Sequence, residues 1–185
     1  MVSGDATSGE DTAWYYRVCD SRFPFLWATV DQPPARWHGV GEGPCHYLAT
    51  SAKGAWAEVL RHEEIDQSDD LVDLERSLWE VEAPTPQATP QLPYDDLTGD
   101  KSTWPACQDE ARRLKEEGYT SLEAPSAALL SGRAERYGVD LNGMVISGEA
   151  PSKTVVHFGD TSRLVGMLQT EGHPDPTMLG DVRHF

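Results

Sequence analysis

Cysteine is scarce in this sequence, and the three cysteines lack the spacings that build a cysteine-based site. Cys19, Cys45 and Cys107 are far apart, and no C-x-x-C pair occurs in the 185 residues. Isolated cysteines of this kind fit neither a disulfide framework nor a zinc site. The sequence therefore predicts no metal site.

Long apolar runs and positive charge are also scarce. No stretch approaches the roughly 18 consecutive apolar residues of a membrane span, and residues 1–12 lack the basic start and apolar run of a signal peptide. Against 15 Lys and Arg stand 31 Asp and Glu, which gives a net charge of −16. Such a field repels nucleic acid and anionic lipid, so we expect a protein that binds neither. The missing membrane span and signal peptide predict a cytoplasmic location.

Several common catalytic motifs are missing as well. There is no Walker motif and no Ser-His-Asp elbow, and the glycines of residues 39–43 do not follow a strand of a βαβ unit, as a Rossmann fingerprint requires. The run His62-Glu63-Glu64 lacks the second histidine of a zinc protease helix. These absences exclude the commonest nucleotide-binding and metalloprotease classes.

What is present indicates one folded α+β domain. Hydrophobic residues make up 38% of the chain and include six Trp, enough for a sizeable core. Residues 1–12 are predicted to be a flexible tail and residues 13–185 a single domain. Strand-like patterns and helical patterns alternate along it. Strands are predicted at residues 14–19, 47–49, 78–82, 120–124, 143–146 and 154–158, and helices at 51–64 and 107–117.

The segment 84–105 is predicted to be a long loop, because it contains five of the thirteen prolines and few apolar residues. Ser51 is expected to cap the first helix, and Gly118 to end the second. Many short strands with two helices are typical of a mixed α+β domain.

Glu58 is the carboxylate of greatest interest. On a helical wheel it lies away from the apolar stripe of Trp56, Val59 and Leu60. A surface glutamate is one interpretation. The other is a site residue, because the small neighbours Gly54 and Ala55 would let a ligand approach closely.

Two arginines are candidate anion ligands. Arg17 lies inside an apolar strand, where a charge is costly unless a carboxylate or an anion neutralises it. Arg36 precedes Trp37, which fits either a stacked surface pair or a planar fork that holds two phosphate oxygens. Tyr47 fits a core tyrosine or an aromatic wall, and Ser126 fits a helix cap or a ligand contact.

The order of these residues is more specific than any one of them. Arg36, Tyr47 and Glu58 follow one another at intervals of eleven positions. Together with flanking residues they resemble the RES domain family, which is named for Arg, Glu and Ser. The matching positions, in chain order, are Tyr16-Arg17, Arg36-Trp37, Tyr47-Leu48, Glu58, Gly118-Tyr119 and Pro125-Ser126. The resemblance covers roughly residues 14–160.

The resemblance implies an ADP-ribosyltransferase-like fold, in which a split mixed or antiparallel sheet with flanking helices holds NAD in a cleft. It implies an enzyme that cleaves the nicotinamide–ribose bond, with NAD as substrate and no cofactor. Glu58 and Ser126 would then be catalytic residues. Arg17, Arg36 and Tyr47 would bind NAD, the arginines at its phosphates and the tyrosine at its nicotinamide.

The resemblance leaves the acceptor open: water makes an NAD glycohydrolase, phosphate a phosphorylase, and a protein side chain an ADP-ribosyltransferase. It implies a toxin that is neutralised by a cognate Xre-type antitoxin. Association of the chain with a second copy of itself, as a homodimer, is left open. One departure is the absence of the Asn-Pro pair that many relatives carry, where this chain has Leu141-Asn142-Gly143. That departure keeps a second alternative in view, a RES module that binds NAD or a partner without turnover.

Overall fold

The structure is a computed structural model that describes residues 11–27, 29–150 and 152–185. The predicted tail lies outside the described residues for positions 1–10. Thr12, the last position of that predicted tail, already belongs to the first strand.

Eight strands and three α-helices follow one another in the described residues. In chain order they are β1 (Thr12–Cys19), β2 (Cys45–Ala49), α1 (Ala52–His62), β3 (Arg76–Pro84), α2 (Tyr94–Thr98), α3 (Trp104–Glu116), β4 (Ser121–Pro125), β5 (Ala134–Asp140), β6 (Gly143–Ala150), β7 (Lys153–Phe158) and β8 (Val165–Gly172). Short 3₁₀ helices are formed by Ser68–Leu71, Lys101–Thr103 and Pro176–Asp181.

Six of the strands form one sheet in the order β4-β7-β2-β1-β3-β8, and each neighbouring pair is antiparallel. Strands β5 and β6 form a separate antiparallel hairpin. The α+β prediction is confirmed. No helix in the described part of the chain is long and apolar enough to cross a membrane.

Every predicted strand and both predicted helices are present, with ends that differ by a few residues. The sequence patterns missed β5 and β8, and residues 84–105 contain α2 instead of being loop throughout. An α-helix of five residues is too short to show a 3.6-residue period. Strand β8 carries exposed Val165, Met167 and Leu168, so it lacks the alternation that marks a half-buried strand.

Helices and loops cover the two faces of the sheet differently. On one face α1 packs Ala55, Trp56 and Leu60 against a cluster that includes Ala49 of β2. A second cluster joins α2 and α3 to the strands at the β4 end. The opposite face carries Leu48 and is covered by the chain that follows β1 and by Leu164. Neighbouring residues of β2 thus serve opposite faces, as the alternation of side chains along a strand requires.

Strands β1 and β2 diverge after a single register pair, Tyr16 opposite Ala49, whereas β1 and β3 are paired over eight positions. Backbone groups of alternate strand residues point to the same edge, so those of Cys45 and Tyr47 face the gap. In the gap these backbone groups form hydrogen bonds with side chains. Gln32 accepts from the Cys45 N–H at 2.7 Å and donates to its carbonyl at 2.8 Å, and Arg17 donates to the Tyr47 carbonyl at 2.9 Å. These side-chain hydrogen bonds replace the missing strand pairing and so stabilise the gap between the two strands.

Two buried histidines lie opposite each other on β2 and β7. His46 pairs in register with His157, and Nδ1 of His46 and Nε2 of His157 have no hydrogen-bond partner among the described residues. Burial, and then the neighbouring His46, lowers the pKa of His157 to about 4. The fold therefore holds His157 in its neutral form at physiological pH.

We expect His157 to make the protein less stable as the pH falls from 6.5 towards 4. In that window the unfolded chain binds a proton on this histidine that the folded chain rejects, and the penalty grows by at most about 1.4 kcal/mol per pH unit. Below pH 4 both states are protonated and the penalty stops growing. Urea unfolding between pH 7 and pH 4.5 should show a shallower loss of stability for His157→Gln. The exposed His62 provides the control, since His62→Gln should keep the wild-type slope. An unchanged slope in His157→Gln would contradict the prediction.

Candidate functional site

A cavity of about 430 Å³ opens where β1 and β2 diverge and α1 passes over the sheet. Arg17, Arg36, Tyr47 and Glu58 all line it. Ser126 is buried, does not line the cavity, and forms a hydrogen bond with Glu58. The structure thus places four of the five sequence-predicted residues on the cavity wall, and the fifth contacts one of those four.

Helix α1 presents Glu58 to this cavity. Ser51 caps the helix by accepting from the Gly54 N–H at 3.0 Å, as predicted. Ala55 and Glu58, one turn apart, both line the cavity. The two small residues before Glu58 have different roles: Ala55 borders the cavity, whereas a side chain on Gly54 would meet Ala49 of β2 at 3.4 Å. Gly54 therefore faces β2 and the Ser51 cap, which an added Cβ would meet at 3.1 Å, and not the cavity.

The Glu58 carboxylate is held by one of its two oxygens. Ser126 donates to Oε1 at 3.1 Å and Thr154 donates to the same oxygen at 3.0 Å. The other oxygen, Oε2, receives no hydrogen bond from the residues that the structure describes. Because Glu58 borders the cavity, this oxygen is the one available to a ligand.

Ser126 is fully committed within the protein. Its hydroxyl accepts from the backbone N–H of Ala128 at 3.2 Å and of Leu129 at 3.0 Å, which caps the turn after β4. A hydroxyl has one proton and two lone pairs, and the proton is donated to Glu58. The predicted helix cap is thus a turn cap, because the element that follows β4 in the described chain is the strand β5, and the serine approaches the cavity only through its hydrogen bond to Glu58.

Tyr47 borders the cavity with an anchored hydroxyl. The hydroxyl accepts from the Trp37 N–H at 2.9 Å, and Nδ1 of His38 lies 2.9 Å from it. Nε2 of His38 faces the Pro33 carbonyl, which can only accept, so Nε2 carries the proton and Nδ1 accepts from Tyr47. Burial lowers the pKa of His38 and raises that of Tyr47, so both are neutral. The tyrosine ring is thereby fixed in place.

Arg17 is the least neutralised cation of the site. Its Nε is buried and has no acceptor among the described residues, and one terminal nitrogen donates to the Tyr47 carbonyl. Burial lowers the pKa of its guanidinium, which nevertheless stays protonated because the ordinary pKa exceeds 12. No carboxylate in the described part of the chain forms an ion pair with it.

Sequence reasoning missed a third arginine, Arg61, which follows Glu58 by one turn on α1. Arg61 borders the cavity, is 4% exposed, and donates to the carbonyls of Thr98, Gly99 and Ala127. Its guanidinium stacks on the Phe185 ring, 4.4 Å from the centroid. Its position three residues after Glu58 was a signal, because residues at that spacing share a helix face.

Arg36 and Arg61 share one backbone carbonyl. Each donates to the Gly99 oxygen at 2.6 Å, and Arg36 also donates to the Asp96 carbonyl and the Thr103 hydroxyl. These acceptors belong to the proline-rich segment 84–105. That segment therefore fixes two cavity cations, and Arg36 uses both terminal nitrogens on it instead of leaving a free fork.

Positive charge thus accumulates around the cavity of a strongly acidic protein. Arg17, Arg36 and Arg61 all border it without a carboxylate ion pair in the described ranges. The carboxylates at the rim are already paired, Asp20 with Arg22 and Glu63 with Arg76. A cavity with surplus cations suits an anionic ligand, because charges act strongly at short range in a partly desolvated site.

Aromatic side chains complete the cavity wall. Trp27, Trp104 and Phe185 border it together with Tyr47. Flat apolar walls beside cations and one carboxylate suit a ligand that combines rings with phosphates. In the described ranges there is no cluster of three or more His, Cys, Asp or Glu that could hold a metal ion.

Comparison with known proteins places this arrangement in context. The model of a protein family described as the RES domain matches residues 15–142. Among solved structures, a chain of the crystal structure of the M. tuberculosis MbcT–MbcA toxin–antitoxin complex is similar with a TM-score of 0.60, at 17% identity, over 94% of this chain and 90% of that chain. At that identity the likeness concerns the fold. Among curated proteins, none matches.

We expect Gly99→Ala to displace the backbone carbonyl that the two arginines share. A methyl group there would lie 2.5 Å from the Thr103 side chain and 2.7 Å from the Asp95 carbonyl, so the carbonyl-bearing turn must move. Overpacking of this kind costs about 1–3 kcal/mol, which thermal unfolding would detect. Gly180→Ala is the matched control, because a methyl group there meets nothing within 4 Å. Equal melting temperatures for the two variants would contradict the prediction.

Proposed function

This chain belongs to the RES domain family, and from that membership and the cavity described above we propose that it is an NAD-consuming toxin. The proposed reaction breaks the bond between nicotinamide and ribose. One observation carries the proposal: Glu58 offers a single free carboxylate oxygen to a cavity bordered by three arginines that lack carboxylate partners in the described chain.

The cations suit the pyrophosphate of a dinucleotide. Arg17 would make the principal contact, because its Nε has no acceptor within the described part of the protein. Arg36 and Arg61 would act mainly through their charge, since their terminal nitrogens already donate to the protein. Fixed cations of this kind need no reorganisation when the ligand binds.

Glu58 would stabilise the transition state at the sugar. The nicotinamide of NAD is cationic, so the C1′–N bond breaks with its electron pair moving to the ring nitrogen, and neutral nicotinamide leaves without a proton from an acid. Ordinary glycosidases need a second carboxyl group for that proton. The ribose left behind has oxocarbenium character, and the free oxygen of Glu58 would lie against it. Ser126 would act by holding Glu58, and the Tyr47 ring would bound the nicotinamide.

An acceptor then adds to C1′ from solution. With water, the products are ADP-ribose, nicotinamide and a proton; with inorganic phosphate, the phosphate ester of ADP-ribose forms instead. Transfer to a protein side chain is the alternative that the family resemblance also allows. The same cavity serves each outcome, because the carboxylate acts on the sugar and not on the acceptor.

An antitoxin partner is part of the proposal. Support comes from the similar fold found in a toxin–antitoxin complex and from the chemistry, because uncontrolled loss of NAD is lethal to a cell. An Xre-type antitoxin that covers the cavity would block the reaction. The net charge of −16 would favour a partner with a basic contact surface.

We predict that purified protein releases nicotinamide from NAD and that Glu58→Gln lowers kcat by on the order of 10²-fold or more, because it removes the stabilising charge. Release is followed by chromatography, and mass spectrometry identifies the second product with and without phosphate and with added protein acceptor. Glu116→Gln, on the exposed side of α3, is the control and should retain full activity.

Two results would count against this assignment. If NAD binds without nicotinamide release, the chain is the binding module that the sequence left as an alternative. If Glu58→Gln releases nicotinamide as fast as the wild type, the role of the carboxylate is wrong.

We further predict that Arg17→Lys raises KM for NAD about 10-fold. Lysine keeps the charge but lacks the planar fork, so it cannot serve the Tyr47 carbonyl and a phosphate at once. Initial rates over a range of NAD concentrations measure the effect. Arg22→Lys, which changes an exposed ion-paired arginine outside the cavity lining, should leave KM unchanged. If the Arg17→Lys enzyme keeps the wild-type KM, Arg17 does not bind NAD and only hydrogen-bonds the backbone in the gap between β1 and β2.

A further inference from the structure

Thr154 of β7 contacts Glu58 directly, although it lies beyond the residues 15–142 that match the family model. Its side chain is 6% exposed and borders the cavity. Its hydroxyl donates to Oε1 of Glu58 at 3.0 Å, on the same oxygen that accepts from Ser126 at 3.1 Å. Two donors on one oxygen define which oxygen of the carboxylate remains free.

The two hydroxyls are not equivalent. Ser126 is shared between Glu58 and the backbone N–H groups of Ala128 and Leu129, so its position is set by the turn. Thr154 is a β-branched residue on β7, an interior strand of the sheet, and its χ1 rotation is restricted. A second donor from another part of the chain holds Oε1 more firmly in place, because with one hydrogen bond alone that oxygen can move more freely.

A rigid frame joins Thr154 to the helix that carries Glu58. Just before α1, the Thr50 N–H donates to the Lys153 carbonyl at 3.0 Å, and the Thr50 hydroxyl accepts from the Lys153 N–H at 3.1 Å. Ala49 of β2 is the register partner of Thr154 itself. The start of α1 and the Thr154 side chain are therefore fixed to each other through adjacent backbone groups.

Glu58 also has a competing partner. Arg61 follows it by three residues on α1, a spacing at which a glutamate and an arginine commonly pair. In the structure the two form no ion pair, because Arg61 donates to backbone carbonyls and Glu58 accepts from the two hydroxyls. Loss of one hydroxyl would let the carboxylate turn towards the guanidinium.

We infer that Thr154 is a positioning residue: with Ser126 it holds Oε1 of Glu58, directs Oε2 at the ribose, and keeps the carboxylate from pairing with Arg61. The part of this inference that concerns the ribose rests on the proposed function. The part that concerns the orientation of the carboxylate does not, and it is measured separately.

Thr154→Val removes the proton while keeping the side-chain shape, and Thr154→Ser keeps the proton while removing the methyl group. We expect Thr154→Val to lower kcat for nicotinamide release by roughly 10- to 100-fold, the effect of misplacing a reacting group, with KM changed less than about 3-fold. Thr154→Ser should stay within about 3-fold of the wild-type kcat. A merely structural role would instead lower the melting temperature without this split between kcat and KM.

Thr170→Val is the matched control, since Thr170 is an exposed residue of the edge strand β8. It should leave kcat and KM at wild-type values. If Thr154→Val does not fold, Thr154→Ala removes the same proton with less bulk. Wild-type kcat in the Val or Ala variant, or equal losses in the Ser and Val variants, would overturn the inference.

Crystal structures of the same variants test the orientation without any turnover. In Thr154→Val we expect the Glu58 carboxylate to rotate towards Arg61 or to occupy more than one rotamer, and in Thr154→Ser to keep its wild-type position. An unmoved carboxylate in Thr154→Val would overturn the inference. Failure of the wild type to release nicotinamide would instead refute the proposed function and leave this structural test valid.

Discussion

The separation of β1 from β2 is the constraint on which the rest of the site depends. Antiparallel strands stay paired when each backbone group finds its partner in the neighbouring strand, and here that pairing stops after Tyr16 and Ala49. Beyond that point the backbone groups of β2 bond to side chains instead, to Gln32 at Cys45 and to Arg17 at Tyr47. Because buried backbone groups must be paired, these two side chains are what allow the sheet to hold an open cavity.

The arginines of the cavity combine structural and electrostatic roles. Arg17 closes the strand gap, and Arg36 and Arg61 hold the proline-rich segment through the Gly99 carbonyl. A guanidinium carries five donors in a fixed plane, so it can satisfy several carbonyls and still contribute charge. The result is a cationic hollow in a protein with a net charge of −16, and its cations are held in place before any ligand arrives.

The sequence predicted most of the regular elements, and the five residues it proposed for a site lie at or next to one cavity. Its omissions have definite causes. An apolar stripe marked α1 and the glycine at position 118 marked the end of α3, while α2 escaped because five residues span little more than one turn. Arg17 attracted notice because a charge within an apolar strand needs a partner. Thr154 gave no comparable signal, because a threonine in a strand is ordinary and its contact with Glu58 spans 96 residues of chain.

Local sequence determined which residues have the chemistry for the site: a capped helix bearing Glu58, arginines at the gap and in the loop, and a serine at a turn. Only the tertiary structure decided how those groups are used. It assigned the Ser126 proton to Glu58, committed the Arg36 fork to backbone carbonyls, and left one oxygen of Glu58 without a donor in the described chain. Hydrogen bonds between distant segments depend on distances of about 3 Å, and those distances exist only after the strands and helices have packed.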